Sequence, residues 1–302
     1  MGGSGGFGGY GYSNMRIREA ESSSGAESSQ REIDINNFLE TLLKEFNDRD
    51  VTAINTHLEE IEKTLSKEID GLEKILFGGS ISKNTFIEGT SDVDALVFLD
   101  YSKYKNTTPK SLQQIFALLL KKRFPNTEIK KGKLAVTVKF KDYEIQLLPA
   151  LRNNGKVRIA NKDNAGWSSP IDTTAFTQRL TKVNQANSNK VVPVIKLVKN
   201  ILEKLPDKYK MSGYHIEALA VDAFTNYNGR RTLYDMTDYL LKHSVKRVLN
   251  PMNDVTGQSG IIDEYLGPSK SVERQKLAYE IKAISGKFSN SNATQIMSEL
   301  FT

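Results

Sequence analysis

The chain has 302 residues, 38% hydrophobic and 26% charged. That is the composition of a globular protein long enough for one large or two medium domains. It has no cysteine, which excludes disulfides and thiolate metal sites and fits a cytoplasmic protein; no apolar run approaches the roughly 20 residues that cross a bilayer, no secretory signal opens the chain, and the net charge of +6 reads as mildly basic and spread along the chain, compatible with nucleotides or RNA.

Residues 1–31 are rich in Gly and Ser and are expected to form a flexible tail, because they hold too little apolar surface to fold alone. Order is expected from Ile33. Ile35, Phe38, Leu39, Leu42, Leu43 and Phe46 recur at helical spacing, and a second helix is predicted from Val51 to Leu65. Ile69 to Phe77 leads through a short strand into a small-residue turn, Gly78-Gly79-Ser80. An apolar strand, Ala95 to Leu99, follows, and Thr108-Pro109 opens another helix. Leu134–Phe140 and Tyr143–Leu148, joined by Lys141-Asp142, read as a hairpin. This first part is a mixed α/β unit with its sheet covered on one face. From residue 170 the pattern turns helical, over Thr173–Ser188, Pro193–Leu205, Ser212–Tyr227, Leu233–His243 and Ser271–Phe288. The expected organisation is a tail (1–31), an α/β core with N-terminal helices (32–160) and a helical lobe (161–302), with an acidic site in the cleft between them.

That site is carried by Asp92 and Asp94, two residues apart on a strand and therefore on one face. Like charges so close call for a positive partner, and a hard divalent cation neutralises them well. The glycine turn offers backbone N–H groups, unshielded by a Cβ, to phosphate. Ser80 is read either as a hydroxyl donor to phosphate or as a turn cap.

Gly79-Ser80, Gly89-Thr90-Ser91 and Asp92-x-Asp94 before an apolar strand resemble the nucleotidyltransferase domain of the DNA polymerase beta-like superfamily. The resemblance implies that the glycine-serine turn holds a triphosphate and that the acids bind two Mg2+ ions, with Mn2+ as an alternative. The superfamily usually has a third acid on a neighbouring strand, in a pattern like Asp-x-x-Pro-Ala. Here that place reads Gln146-Leu-Leu-Pro149-Ala150. An amide offers a carbonyl oxygen but neither charge nor a base. Glu144, two residues earlier and roughly 7 Å away along the strand, either substitutes for it or is a solvated strand residue, or the site works with two acids.

Asn161–Pro170 with Trp167, Asn184, Val194–Lys199 and Ser212-Gly-Tyr-His-Ile-Glu217 are similar to the bacterial cGAS/DncV-like nucleotidyltransferases, oligonucleotide cyclases of anti-phage (CBASS-type) signalling. That similarity implies that Lys199 and Ser212 hold the donor triphosphate. It also implies that nucleoside triphosphates, ATP among them, are joined into a cyclic or short oligonucleotide with release of pyrophosphate. Nucleotide addition to an RNA or protein acceptor, or a nucleotide-binding regulator impaired at Gln146, are the competing readings. A monomer is expected, unless complexed with an activating protein or RNA, with no membrane association. Lys196 is expected to face solvent, Trp167 and His215 to be packed, and Tyr214 and Glu217 to serve the lobe interface or the ligand. Arg230-Arg231, Lys242, Lys246 and Arg247 form a modest basic cluster read as a solvated face.

Overall fold

The computed structural model describes residues 11–48, 51–87, 93–161 and 163–301. Among them, six strands form one mixed sheet: β1 Leu72–Phe77, β2 Val93–Asp100, β3 Glu128–Lys131, β4 Val136–Lys139, β5 Glu144–Asn153 and β6 Lys156–Ile159. The order is β1-β2-β5-β4-β3, and β6 also pairs with β5. β2 and β5 run parallel over eight residue pairs at the centre, and every other pairing is antiparallel. The predicted hairpin is β4–β5, closed by the Phe140 N–H donating to the Tyr143 carbonyl at 2.9 Å.

The alternation of β2 and β5 sorts the two faces. Val93, Ala95, Val97 and Leu99 share a buried layer with Ile145, Leu147 and Leu151, covered by helices α2 (Val51–Ser66) and α5 (Pro109–Arg123). α2 presents Ile54, Leu58, Ile61 and Leu65, and α5 presents Leu112, Phe116 and Leu120, both at helical spacing. α5 starts where Thr108 accepts from the Ser111 N–H, with Pro109 in the first turn, where its missing N–H is no loss. The opposite face carries Asp94, Leu96 and Phe98 beside Gln146, Leu148 and Ala150, and this face is turned to the cleft. Two single-turn helices, α3 (Gly79–Ser82) and α4 (Tyr101–Tyr104), follow β1 and β2.

The helical lobe comprises α6 (Ala175–Ala186), α7 (Val191–Leu202), α8 (Gly213–Phe224), α9 (Leu233–Arg247), α10 (Val272–Asn290) and α11 (Ala293–Ile296). Its centre is α7, nine of whose twelve residues are buried and whose neighbours include α1, α6, α8 and α9. Lys196, expected in solvent, is therefore buried at 5% exposure, and its ammonium reaches the side-chain oxygen of Asn47. No residue of α7 is fully exposed.

The first helix, α1, spans Gly11–Asn47, so helical backbone is described from well before Ile33; residues 1–10 lie outside the described ones. Arg31 is tied down by donating to the Ser289 and Ser291 carbonyls at 2.8 and 2.7 Å. Ile35, Leu39 and Leu43 pack into the helical lobe against α7 and α9. The two N-terminal helices thus part company: α2 belongs with the sheet, whereas α1 belongs with the lobe that the chain completes 150 residues later.

Candidate active site

The glycine turn follows β1 directly. The Gly78 N–H donates to the Asp94 carbonyl at 2.8 Å, which fixes the turn against the next strand. Gly79 has φ +49°, and a Cβ there would lie 1.9 Å from Asp94 Oδ2. The position therefore needs glycine twice, for backbone conformation and for room beside a carboxylate. Ser80 sits in the single turn of α3, and its carbonyl accepts from the Thr85 N–H at 2.9 Å. Asp94 and Gln146 are register partners on the parallel strands β2 and β5, so the amide stands beside the acid in the row where a third carboxylate was looked for. Glu144 is on the same face but ion-paired to Lys139 across the hairpin. Asp92, Gly89, Thr90 and Ser91 lie outside the described residues.

From the helical lobe, α8 begins at Ser212, whose hydroxyl accepts from the His215 N–H at 3.2 Å. A Cβ on Gly213 would be 3.2 Å from Lys199 Nζ, so the ammonium lies against the start of α8. Lys199 is buried, and it donates to Glu217 Oε1 at 2.7 Å and to the Thr85 carbonyl and hydroxyl, both at 3.2 Å. Glu217 is also buried, and it accepts from Lys83 on one oxygen and from the Thr85 hydroxyl on the other. Lys83 lies over the rings of Phe176 and Tyr214, at 5.1 and 5.5 Å from their centroids.

This cluster joins the lobes: Lys83 and Thr85 come from the segment after the glycine turn, and Lys199 and Glu217 from α7 and α8. Burial alone would raise the Glu217 carboxyl, but Lys199 and Lys83 outweigh it and hold it below its ordinary value. Burial pushes the Lys199 ammonium down, against the pull of Glu217. Two cations, Lys83 and Lys199, share the one Glu217 carboxylate, and the charge of Lys83 adds a smaller lowering to that of burial at Lys199. Tyr214 donates to Asp254, and burial followed by this bond raises its phenol well above the ordinary value.

A cavity of about 960 Å³ opens beside the cluster, lined by Gly78, Gly79, Lys83, Phe98, Phe176 and Tyr214 among others. The structure thus brings together Gly79, Asp94 and Gln146 on one side and Lys199 and Ser212 on the other. Lys83 and Thr85 were missed, although they follow Ser80 by three and five residues. Glu217 was noted, but its partners Lys83 and Thr85, more than 130 residues away in the chain, were not. Trp167 is packed, donating from Nε1 to the Thr107 carbonyl at 2.9 Å, and His215 is buried. Much of the basic cluster is neutralised: Arg230 pairs with Glu32 and Asp235, Lys242 with Asp238, and Arg247 with Asp222.

Residues 32–184 match the family model of the Second Messenger Oligonucleotide or Dinucleotide Synthetase domain. The chain belongs to this family. As a member it is a synthetase of an oligonucleotide or dinucleotide second messenger. Its fold is that of known members. The structure of E. coli MS115-1 CdnC with ATP superposes with a TM-score of 0.62 at 15% identity, over 86% of this chain and 90% of that one. Vibrio cholerae DncV cyclic AMP-GMP synthase, in complex with the linear intermediate 5′ pppA(3′,5′)pG, gives 0.61 at 12% identity, over 97% and 92%. Bradyrhizobium diazoefficiens CdnG in complex with GTP gives 0.62 at 10% identity, over 78% and 84%. A comparison with curated proteins finds no match. No helix among the described residues is long and apolar enough to cross a membrane.

Proposed function

We propose that the synthetase works in the cleft between the lobes, with the donor triphosphate held between the Gly79-Ser80 turn and the Lys199–Ser212 pair. The observation that carries this is the contact of Gly79 with the Asp94 carboxylate beside a cluster holding one more cation than anion. The glycine turn supplies backbone donors to phosphate, and the surplus charge of Lys83 and Lys199 supplies attraction. Ser212, at the start of α8, adds a hydroxyl beside free helix N–H groups.

The metal-ligating atoms that Asp94 and Gln146 offer side by side are oxygens, which suits a hard cation. Asp92 and Asp94 would hold Mg2+, with Mn2+ as a substitute, and Gln146 would contribute a neutral oxygen. Bound there, the ions would activate the attacking hydroxyl and stabilise the leaving pyrophosphate. The substrates are nucleoside triphosphates, ATP among them, and the protein acts in the cytoplasm, alone or with an activating partner.

One observation favours a second reading, an impaired nucleotide-binding regulator: the residue beside Asp94 is an amide rather than an acid. Labelled triphosphates with Mg2+ or Mn2+ separate the two. The wild type is expected to give small phosphatase-resistant products, and Asp94→Asn to lower their rate roughly a thousandfold, for a loss of several kcal/mol of charge stabilisation. Binding without turnover in the wild type would establish the regulator.

A further inference from the structure

Between α9 and α10 the chain turns through Asp254-Val-Thr-Gly-Gln-Ser-Gly260. Asp254 is buried, and its two oxygens divide the work. Oδ2 gathers the loop, accepting from the Thr256 hydroxyl at 2.7 Å, the Gln258 N–H at 3.1 Å and the Ser259 N–H at 3.0 Å. Oδ1 accepts from the Thr256 N–H at 3.0 Å and from the Tyr214 hydroxyl on α8. The loop reaches the cavity wall a second time through Gln258. Its amide accepts from the Asp172 N–H and donates to the Asp172 carbonyl at 3.0 Å. The Asp172 carboxylate in turn accepts from the Thr174 N–H and hydroxyl at 2.9 and 2.7 Å, just before α6. Phe176, in the first turn of α6, packs against Tyr214 with ring centroids 4.8 Å apart, and Lys83 lies over both rings.

We propose that Asp254 is a positioning residue for the synthetase, acting through Tyr214 to hold the Lys83 ammonium at the cavity. The bonds to Thr256, Gln258 and Ser259 already close the loop. The bond to Tyr214, 40 residues away in the chain, adds nothing to that turn and reaches the cavity wall instead. There Tyr214 and Phe176 make a two-sided seat for an ammonium. A ring attracts a cation through the electron density of its face, and a phenol that donates to a carboxylate has more of it. A bond to a charged acceptor is also roughly twice as strong as a neutral one, so the ring keeps one orientation. Lys83 is thus held by the Glu217 carboxylate and by the two rings, and Asp254 strengthens that hold without touching the lysine. On the reading of the cleft proposed above, Lys83 attracts the triphosphate, and the role of Asp254 rests on that reading.

The test is a double-mutant cycle on the full chain, read in kcat and KM for ATP with Mg2+ and in the Kd of a non-hydrolysable ATP analogue. Tyr214→Phe removes one hydroxyl and keeps the ring, and Asp254→Asn removes the charge and keeps the shape. Each is expected to raise KM and Kd roughly fivefold, with the larger share of the change in KM rather than kcat. The double variant should lose about as much as either alone, because both changes break one link. Gln258→Ala, which frees the other wall of the seat, is expected to raise KM and Kd about twofold. Losses that multiply in the double variant would overturn the proposal, as would wild-type KM and Kd in Tyr214→Phe. So would a fall in kcat with KM and Kd unchanged, which a loosened phosphate-attracting lysine does not produce. Thermal unfolding shows whether each variant is folded. If Asp254→Asn is not, Tyr214→Phe is combined with Lys83→Gln, where the hydroxyl should no longer matter; an undiminished effect of Tyr214→Phe there would overturn the proposal. Asp94→Asn separates the two readings: full synthesis by that variant overturns both. A loss of synthesis in Asp94→Asn together with multiplying losses in the cycle overturns the role of Asp254 alone.

Discussion

Two buried charge clusters are built differently. In the helical lobe, Arg274 is wholly buried and donates to Asp263 Oδ2 at 2.7 Å and to the carbonyls of Val248, Gly267 and Asp263. Every polar group there belongs to one lobe, and charge is balanced one to one. Between the lobes, the Glu217 cluster draws on both and carries an extra cation. The Arg274 pair fastens the loop between α9 and α10 to the body of its lobe. The Glu217 cluster borders the cavity through Lys83. Burial alone therefore does not distinguish a structural ion pair from one placed for binding; the charge balance and the number of bodies joined do.

Removing one partner from each cluster tests that distinction most severely. Arg274→Ala leaves Asp263 buried without its cation and is expected to lower stability by about 3–5 kcal/mol, with triphosphate adding the same stabilisation as in the wild type. Glu217→Gln is expected to lower kcat/KM at least tenfold. It should also increase the rise in melting temperature on adding triphosphate, because the added anion replaces the lost carboxylate. Equal responses to triphosphate in the two variants would erase the contrast.

A smaller effect is expected at the turn. Gly79→Ala meets both the positive φ and the Asp94 carboxylate, so a loss of about 1–3 kcal/mol, together with reduced synthesis, is expected in denaturation and product assays. Unchanged synthesis would detach the turn from the chemistry.

The smallest effect concerns His215, which touches the structural cluster. Burial, then Arg274 and Arg247, hold its imidazole at about 4 against the pull of Asp263, below the ordinary 6.5. Tyr265 also faces it, with its hydroxyl 3.1 Å from Nδ1. The unfolded chain then binds the extra proton and the folded one does not. Stability is therefore full above about pH 6.5, falls as pH drops towards 4 and levels off below. In His215→Gln, the slope of unfolding free energy across that window should be smaller.

The α/β core was legible because its signals are local. The run of β2, the β4–β5 hairpin, Thr108-Pro109 and the glycine turn each occupy fewer than a dozen residues. β3 and β6 were not legible: at four residues each, with charged positions, they have too few alternations to stand out from loop. Lys196 was misjudged from its type, although the run of apolar residues around it in α7 carried the contrary signal. The Glu217 cluster needed coordinates, since its members pair across 132 and 134 residues. The position of Gln146 beside Asp94 agreed with the strand reading, because a parallel register keeps side chains of one face in a row.

The three bonds made by Lys199 have a kinetic corollary. An ammonium has three protons, and here each already has an acceptor. On the reading proposed for the cleft, a phosphate oxygen arriving at this nitrogen enters by exchange, displacing Thr85 or Glu217 rather than filling a vacancy. Such an exchange leaves the number of hydrogen bonds unchanged, so its driving force is the difference in charge between the incoming and outgoing acceptors. A mono- or diphosphate brings less charge than a triphosphate and exchanges less well. The saturated lysine would then act as a counter of phosphates, passing the substrate and rejecting its spent forms.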